Sequence, residues 1–191
     1  MVDAKLLQFV KDYANLIAEN QAQLNAYDTP IGDGDHGTNM NRGMQAVLEM
    51  LETKEITSNQ DLFKNIGMTL LSKVGGASGP LYGSAFITMA KTIDNTLTQD
   101  VIKAGYESVA KRGKSTVNEK TMLDVWGPVS EMDLTQLTVE DVERFAASTE
   151  PMRATKGRAS FLGDRSIGHR DPGSHSSALF FEAAINAGVL A

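Results

Sequence analysis

Apolar residues recur at three- and four-residue intervals along almost the whole 191-residue chain, and sustained two-residue alternation is absent. A chain patterned this way buries one stripe of each segment and folds as amphipathic helices. Residues 3–24 place Leu6, Val10, Tyr13, Ile17 and Leu24 on one face. Residues 38–51 carry Met40, Met44, Val47, Leu48 and Leu51, and residues 59–74 carry Leu62, Phe63, Ile66, Leu70 and Val74. Ser78 reads as an N-cap ahead of Pro80, opening a helix with Leu81, Phe86, Met89 and Ile93. Further helices are expected over residues 98–113 and 121–131, and from the Thr138-x-x-Asp141 capping box towards Thr155. A last one is expected from Ser174 to a stop at Gly188. No repeat, low-complexity tract or linker divides the chain, so residues 1–191 are expected to form a single all-α domain.

Composition narrows the function classes. Hydrophobic residues make up 41% and charged residues 22%, ordinary for a globular protein. The net charge of −6 disfavours non-specific binding to nucleic acid or to an anionic membrane. An anionic ligand therefore needs local help from metal ions, arginines or helix ends. Without cysteine there is no disulfide, thiolate metal site or cysteine nucleophile. Asp3, Lys5, Lys11 and Asp12 sit in the N-terminal stripe, unlike a signal peptide, and no apolar run is long enough to span a bilayer. A cytoplasmic location is expected.

The densest chemistry lies in one glycine-rich loop. Asp28 is followed by Asp33-Gly34-Asp35-His36-Gly37-Thr38-Asn39. Three carboxylates this close repel one another unless a cation lies between them, and hard oxygen ligands suit Mg²⁺ or Ca²⁺. The loop runs into a helical stripe, and a helix N-terminus offers N–H groups and a positive dipole end to a phosphate. A solvated turn is the plainer reading of Asp and Gly. An EF-hand is excluded: counting from Asp33, the twelfth position is Met44 and the sixth is Thr38.

Other loops repeat the theme. Gly75-Gly76-Ala77-Ser78-Gly79-Pro80 lets backbone approach a ligand closely. Gly113-Lys114-Ser115 resembles the end of a P-loop, but the earlier glycine is replaced by Ser108 and a helix precedes it, so the P-loop is rejected. Arg153, Arg158, Arg165 and Arg170 are read as phosphate neutralisers rather than as a solvated loop. Of the three histidines, His36 is the functional candidate. Trp126 and most methionines read as core, with Met122 set apart by the adjoining polar loop. In an up-and-down bundle alternate loops share one end, so these loops are expected to meet at one rim.

These segments also occur together in one order: Ile31-Gly32-Asp33-Gly34-Asp35-His36-Gly37, Gly75-Gly76-Ala77-Ser78-Gly79-Pro80-Leu81-Tyr82-Gly83, Lys120-Thr121-Met122-Leu123-Asp124, Gly157-Arg158-Ala159-Ser160-Phe161-Leu162-Gly163 and Gly168-His169-Arg170-Asp171-Pro172-Gly173. The set resembles the nucleotide-binding L-type subunits of bacterial dihydroxyacetone kinases over essentially the whole chain. The resemblance implies an up-and-down antiparallel barrel of about eight helices with tightly bound ADP or ATP at one rim. It implies two Mg²⁺ on Asp28, Asp33 and Asp35. It implies nucleotide contacts from His36, Gly37, Thr38, Asn39, Ala77, Ser78, Gly113, Met122, Arg158, Asp171, Pro172 and Gly173, with Arg158 catalytic. The family usually has Gly where this chain has Asn118; Asn tolerates the same left-handed backbone, so a local adjustment is expected.

What the resemblance implies about activity is equally specific. A phosphohistidine-carrying M subunit of the phosphotransferase system rephosphorylates ADP, and the L-type subunit passes the phosphoryl group to dihydroxyacetone on a K subunit. No general base for the substrate hydroxyl is expected in this chain. The competing readings are a carrier kinase for another small substrate and an ADP-loaded regulatory subunit that binds a transcription regulator.

Overall fold

The computed structural model describes residues 1–191, and its regular elements are helices. The helices are α1 (Ala4–Glu19), α2 (Gln21–Asp28), α3 (His36–Thr53), α4 (Asn59–Lys73), α5 (Ser78–Met89), α6 (Gln99–Gly113), α7 (Leu123–Glu131), α8 (Val139–Ala147) and α9 (Pro172–Ala187). Short 3₁₀ turns cover Leu134–Gln136 and Arg158–Ser166. The only β pairing is an isolated bridge between Leu97 and Leu190. No helix is long and apolar enough to cross a membrane.

The packing order is a closed ring. α1 packs on α3, α3 on α4, and so on in sequence to α8 on α9, and α9 returns to α1. Eight helices thus form the barrel wall. The ninth, α2, leans on α3 and α9 at one end. The expected all-α barrel is therefore the observed fold. Inside it 41 buried apolar residues form one cluster. Phe180 of α9 lies at its centre, with ring centroids 5.0 Å from Trp126 and Phe181, 5.1 Å from Phe9 and 5.5 Å from Tyr13. The wall is tightest between α4 and α5. A Cβ on Gly67 would come within 2.7 Å of the Gly83 carbonyl oxygen, so two glycines set that close approach.

The two ends of the barrel differ. At one end Asn59 binds Asp3 and Asp94, Gln60 binds the Ile93 carbonyl, and Leu97 pairs with Val189 and Ala191. That weave closes the end. The loops after α2, α4, α6 and α8 gather at the other end and line one cavity.

Several boundaries differ from the periodicity, each for a local reason. The stripe over residues 3–24 breaks at Asn20, whose side chain bonds back to the Leu16 carbonyl at 2.9 Å. Ser78 does not cap α5; it is the first helical residue, and its hydroxyl meets His36 instead. The capping box at Thr138 and Asp141 forms, but α8 ends at Ala147, well short of Thr155, with Pro151 just beyond. Asp171, not Ser174, caps α9, accepting the Ser174 N–H at 2.7 Å with Pro172 in the first turn. Gly188 stops α9 in the left-handed conformation.

Candidate functional site

The open rim encloses a cavity of about 620 Å³. Its lining includes Asp28, Asp33, Asp35, His36, Asn39, Ala77, Ser78, Gly113, Met122, Arg158, Asp171, Pro172 and Gly173. Residues from four separate loops, spread over more than two thirds of the sequence, thus share one wall.

The acidic corner is built around Asp28. It ends α2 and is only 8% exposed. Its Oδ2 accepts the N–H groups of Asp35 (2.9 Å) and His36 (3.1 Å), which pins the loop to the start of α3. A Cβ at Gly32 would sit 2.0 Å from Asp28 Oδ1, so only glycine lets the loop fold over that carboxylate. The ligand atoms of Asp28, Asp33 and Asp35 lie within 4.8 Å of one another. Burial raises the Asp28 pKa, the two donated N–H bonds pull it down, and the neighbouring carboxylates add to the rise. Desolvation also acts upward on Asp33, but a hydrogen bond with Asp35 and the Arg158 charge outweigh it and hold that carboxyl low. Hard oxygen donors converging at this spacing fit a divalent cation. This fits the three-carboxylate reading of the loop.

The open helix start at the rim is not that of α3. Most N–H groups around the start of α3 are already engaged: those of Asp35 and His36 donate to Asp28, that of Thr38 donates to Asn25 Oδ1 at 3.0 Å, and that of Asn39 donates to the Asp35 carbonyl. Thr38 also receives the Asn25 amide on its hydroxyl at 2.9 Å. Gly37 faces α2 so closely that a Cβ would meet the Gln21 carbonyl oxygen at 2.1 Å. Gly37 and Thr38 therefore lie outside the cavity lining and join α3 to α2. The open helix start is that of α5, which begins at Ser78 with no side-chain cap. The backbone N–H groups of Gly75, Gly76, Ala77 and Ser78 can meet an anion at the rim, beside the side chains of Arg112, Lys156 and Arg158.

His36 has both ring nitrogens occupied, by Ser176 Oγ at 2.9 Å and by Ser78 Oγ at 3.1 Å. Ser176 continues to Tyr82 (2.7 Å), Tyr82 to Ser177 (2.8 Å) and Ser177 to Trp126 Nε1 (3.0 Å). Burial, helped by the His175 charge, pushes the His36 pKa down to about 4, so the ring is neutral. It ties α3, α5 and α9 together beneath the cavity. Asn39 has its Oδ1 engaged by Arg42 at 2.8 Å, and Arg42 also holds the Lys73 carbonyl, fixing α3 to the glycine loop.

The far side is formed by residues 148–171 and the 113–121 loop. Of the four arginines, only Arg158 lines the cavity, and it pairs with Asp33. Arg170 is committed to Glu143 (2.6 Å), to Glu150 (3.1 Å) and to the face of Tyr27, and Arg153 faces Asp164. The reading of all four as phosphate neutralisers thus narrows to one. Asn118 takes the left-handed backbone (φ 66°), as expected, and its N–H donates to Asp124. Met122 is 4% exposed and packs beside Gly173. The Asp171 carboxylate caps α9; burial and nearby Asp124 push its pKa up to about 7 against the pull of the Ser174 N–H and Lys120. Arg112, Lys120 and Lys156 also line the cavity, and none was given a ligand contact from the sequence, although Lys120 opens one of the motif segments. Lysine and arginine in exposed-looking polar loops carry no signal of their own.

Comparison with known proteins gives one family. Residues 30–186 match the model of the DAK2 domain. The chain is 47% identical to the PTS-dependent dihydroxyacetone kinase ADP-binding subunit DhaL of Lactococcus lactis, covering 94% of each chain. It is 48% identical to the PEP-dependent dihydroxyacetone kinase 1 ADP-binding subunit DhaL of Listeria innocua, covering 96% of each. Among solved structures it is similar in fold to the dihydroxyacetone kinase from C. freundii in complex with AMP-PNP and Mg²⁺, with a TM-score of 0.70 at 22% identity. That match covers 92% of this chain and 32% of the longer one.

Proposed function

This chain belongs to the DAK2-domain family, and we propose that it is the nucleotide-carrying kinase subunit of a phosphoenolpyruvate-dependent dihydroxyacetone kinase. One observation carries the reading: a single cavity combines three converging carboxylates, an uncapped helix start behind a glycine loop, and Arg158. Those are the parts that phosphoryl transfer requires.

In this reading the chain would hold ADP or ATP as a coenzyme between a phosphohistidine M subunit, the phosphoryl donor, and dihydroxyacetone on a K subunit, the acceptor. Asp28, Asp33 and Asp35 would hold two Mg²⁺, which would supply charge neutralisation for phosphate oxygens. The start of α5 and its glycine loop donate backbone N–H groups to those oxygens. Arg158 offsets charge that develops at the transferred group. Gly113 and Met122 lie at the nucleotide's other end, and Pro172 and Gly173 close the floor. Ser78 and Ser176 occupy both nitrogens of neutral His36, so His36 positions α5 and is no base for a substrate hydroxyl. Catalysis by this chain is positioning and charge stabilisation.

The test is reconstitution. With ATP and dihydroxyacetone alone, the purified chain should make no dihydroxyacetone phosphate. Adding the K and M subunits with phosphoenolpyruvate should start production. Turnover by the chain alone would contradict the proposal.

A further inference from the structure

Lys120 is the most deeply buried ammonium in the molecule, at 2% exposure. It lines the cavity, yet it is not placed to bind a ligand. Its Nζ donates to the carbonyls of Thr149 (2.7 Å) and His169, with a longer contact to the Glu150 carbonyl (3.5 Å). Three donors meet three carbonyl oxygens, so no N–H remains for a phosphate. Those carbonyls come from the two ends of one excursion, the segment that leaves α8 and returns to α9. The Gly168 N–H to the Glu150 carbonyl (2.8 Å) closes the same neck.

The excursion reaches across the cavity mouth and is fastened at two points. Arg158 pairs with Asp33 on the acidic side. Lys156 donates to the Lys114 carbonyl at 2.6 Å and faces Glu119 at 3.6 Å on the other side. Both fastenings are solvent-accessible ion pairs of the kind that contribute little by themselves. The neck is tied through the buried Lys120 side chain and through backbone, with Thr149 fully buried beside it. Lys120 itself has φ 60°, and all three non-glycine residues with positive φ, Lys114, Asn118 and Lys120, fall within this one loop. A backbone conformation that L-residues avoid is held here, and it aims the ammonium at the neck.

We infer that Lys120 is a positioning residue, a clasp on the neck of the 148–171 segment that sets how Arg158 lies over the cavity and how long a nucleotide stays inside. The inference rests on the proposed nucleotide site. It assigns to a lysine outside the metal and phosphate contacts the control of ligand lifetime.

The test uses the full-length protein and fluorescent or radiolabelled ADP. Lys120→Met keeps the apolar stem and removes the ammonium. ADP release should quicken about ten-fold or more, because a charged hydrogen-bond donor to several buried carbonyls is lost. Limited trypsin digestion should cut at Arg158 and Arg165 sooner than in wild type. In an Arg158→Ala background the same Lys120 change should add no more than about two-fold, since the residue it positions is gone. Lys120→Gln, which retains two donors on a shorter stem, should give a smaller acceleration and serves if the methionine variant does not fold. Equal release rates for folded Lys120 variants and wild type would overturn the clasp. So would an undiminished effect in the Arg158→Ala background. Failure of wild type to hold ADP at all would instead remove the functional reading beneath it.

Discussion

Two walls face each other across the cavity and are held in opposite ways. The aspartate loop is short, and Asp28 binds two of its amides from a buried position while Gly32 folds over the carboxylate with no room for a Cβ. The opposite wall is the long segment between α8 and α9. It is secured at its neck by Lys120 and Gly168, while its tip touches the body only through accessible side chains. Phe161 on that tip is 87% exposed. The first wall is preorganised and its cost was met on folding. The second can yield at the tip without disturbing the barrel. In the proposed reading, cation binding, the chemistry that must not move, falls on the rigid wall. In the same reading, the segment that would admit and release a ligand falls on the compliant one.

The contrast breaks most directly at the carboxylates. Asp33→Ala or Asp35→Ala should reduce phosphoryl transfer in the reconstituted system by at least about 100-fold, because a metal site loses an anionic ligand. Thermal melting of the apoprotein should hardly move, since both side chains are exposed at the rim. A steep drop in melting temperature would show that the rim and the barrel are one cooperative unit.

On the compliant wall the effect should be smaller and purely kinetic. Arg158→Ala should lower turnover about ten-fold through lost charge stabilisation. The melting temperature should stay put, because an exposed ion pair contributes only about 0–1 kcal/mol. Unchanged turnover would return Arg158 to the status of a solvated loop residue.

The smallest effect is a pH dependence at the floor between the walls. The folded pKa of Asp171 is raised to about 7, so the folded chain binds a proton there that the unfolded chain releases near pH 4. The sign follows: stability from this group is intact below its unfolded value and falls as pH rises through about 7. Asp171→Asn keeps the cap on α9 without the charge. Relative to wild type, the variant should gain on the order of 1–2 kcal/mol between pH 5 and pH 8.5, read from denaturant melts at both. A constant difference across that range would mean the carboxylate is ionised throughout.

Much of the barrel was legible because periodicity reports burial directly. The stripes through Leu62, Phe63, Ile66 and Leu70, or through Met40, Met44 and Val47, are core residues in the fold. Closure of eight helices into a ring is not written in any one stripe; it came from the family resemblance. The rim was half legible. Glycine and aspartate clusters marked loops that line the cavity, and Asn118 was placed in its backbone conformation. The partners of polar groups were hidden. Periodicity cannot show that Asn25 would take the Thr38 amide, that Ser78 would turn to His36, or that Lys120 would reach carbonyls at positions 149 and 169. Those bonds join residues distant in sequence and leave no local pattern.

In the proposed function this rim holds a nucleoside diphosphate and divalent cations as resident groups. Native mass spectrometry of the protein as purified, without added nucleotide, tests it most directly. The expected spectrum shows the mass of the 191-residue chain plus one ADP and two Mg²⁺, collapsing to the bare chain in Asp33→Ala. Bare wild-type chain, with no bound species appearing when ADP and Mg²⁺ are supplied, would contradict the account.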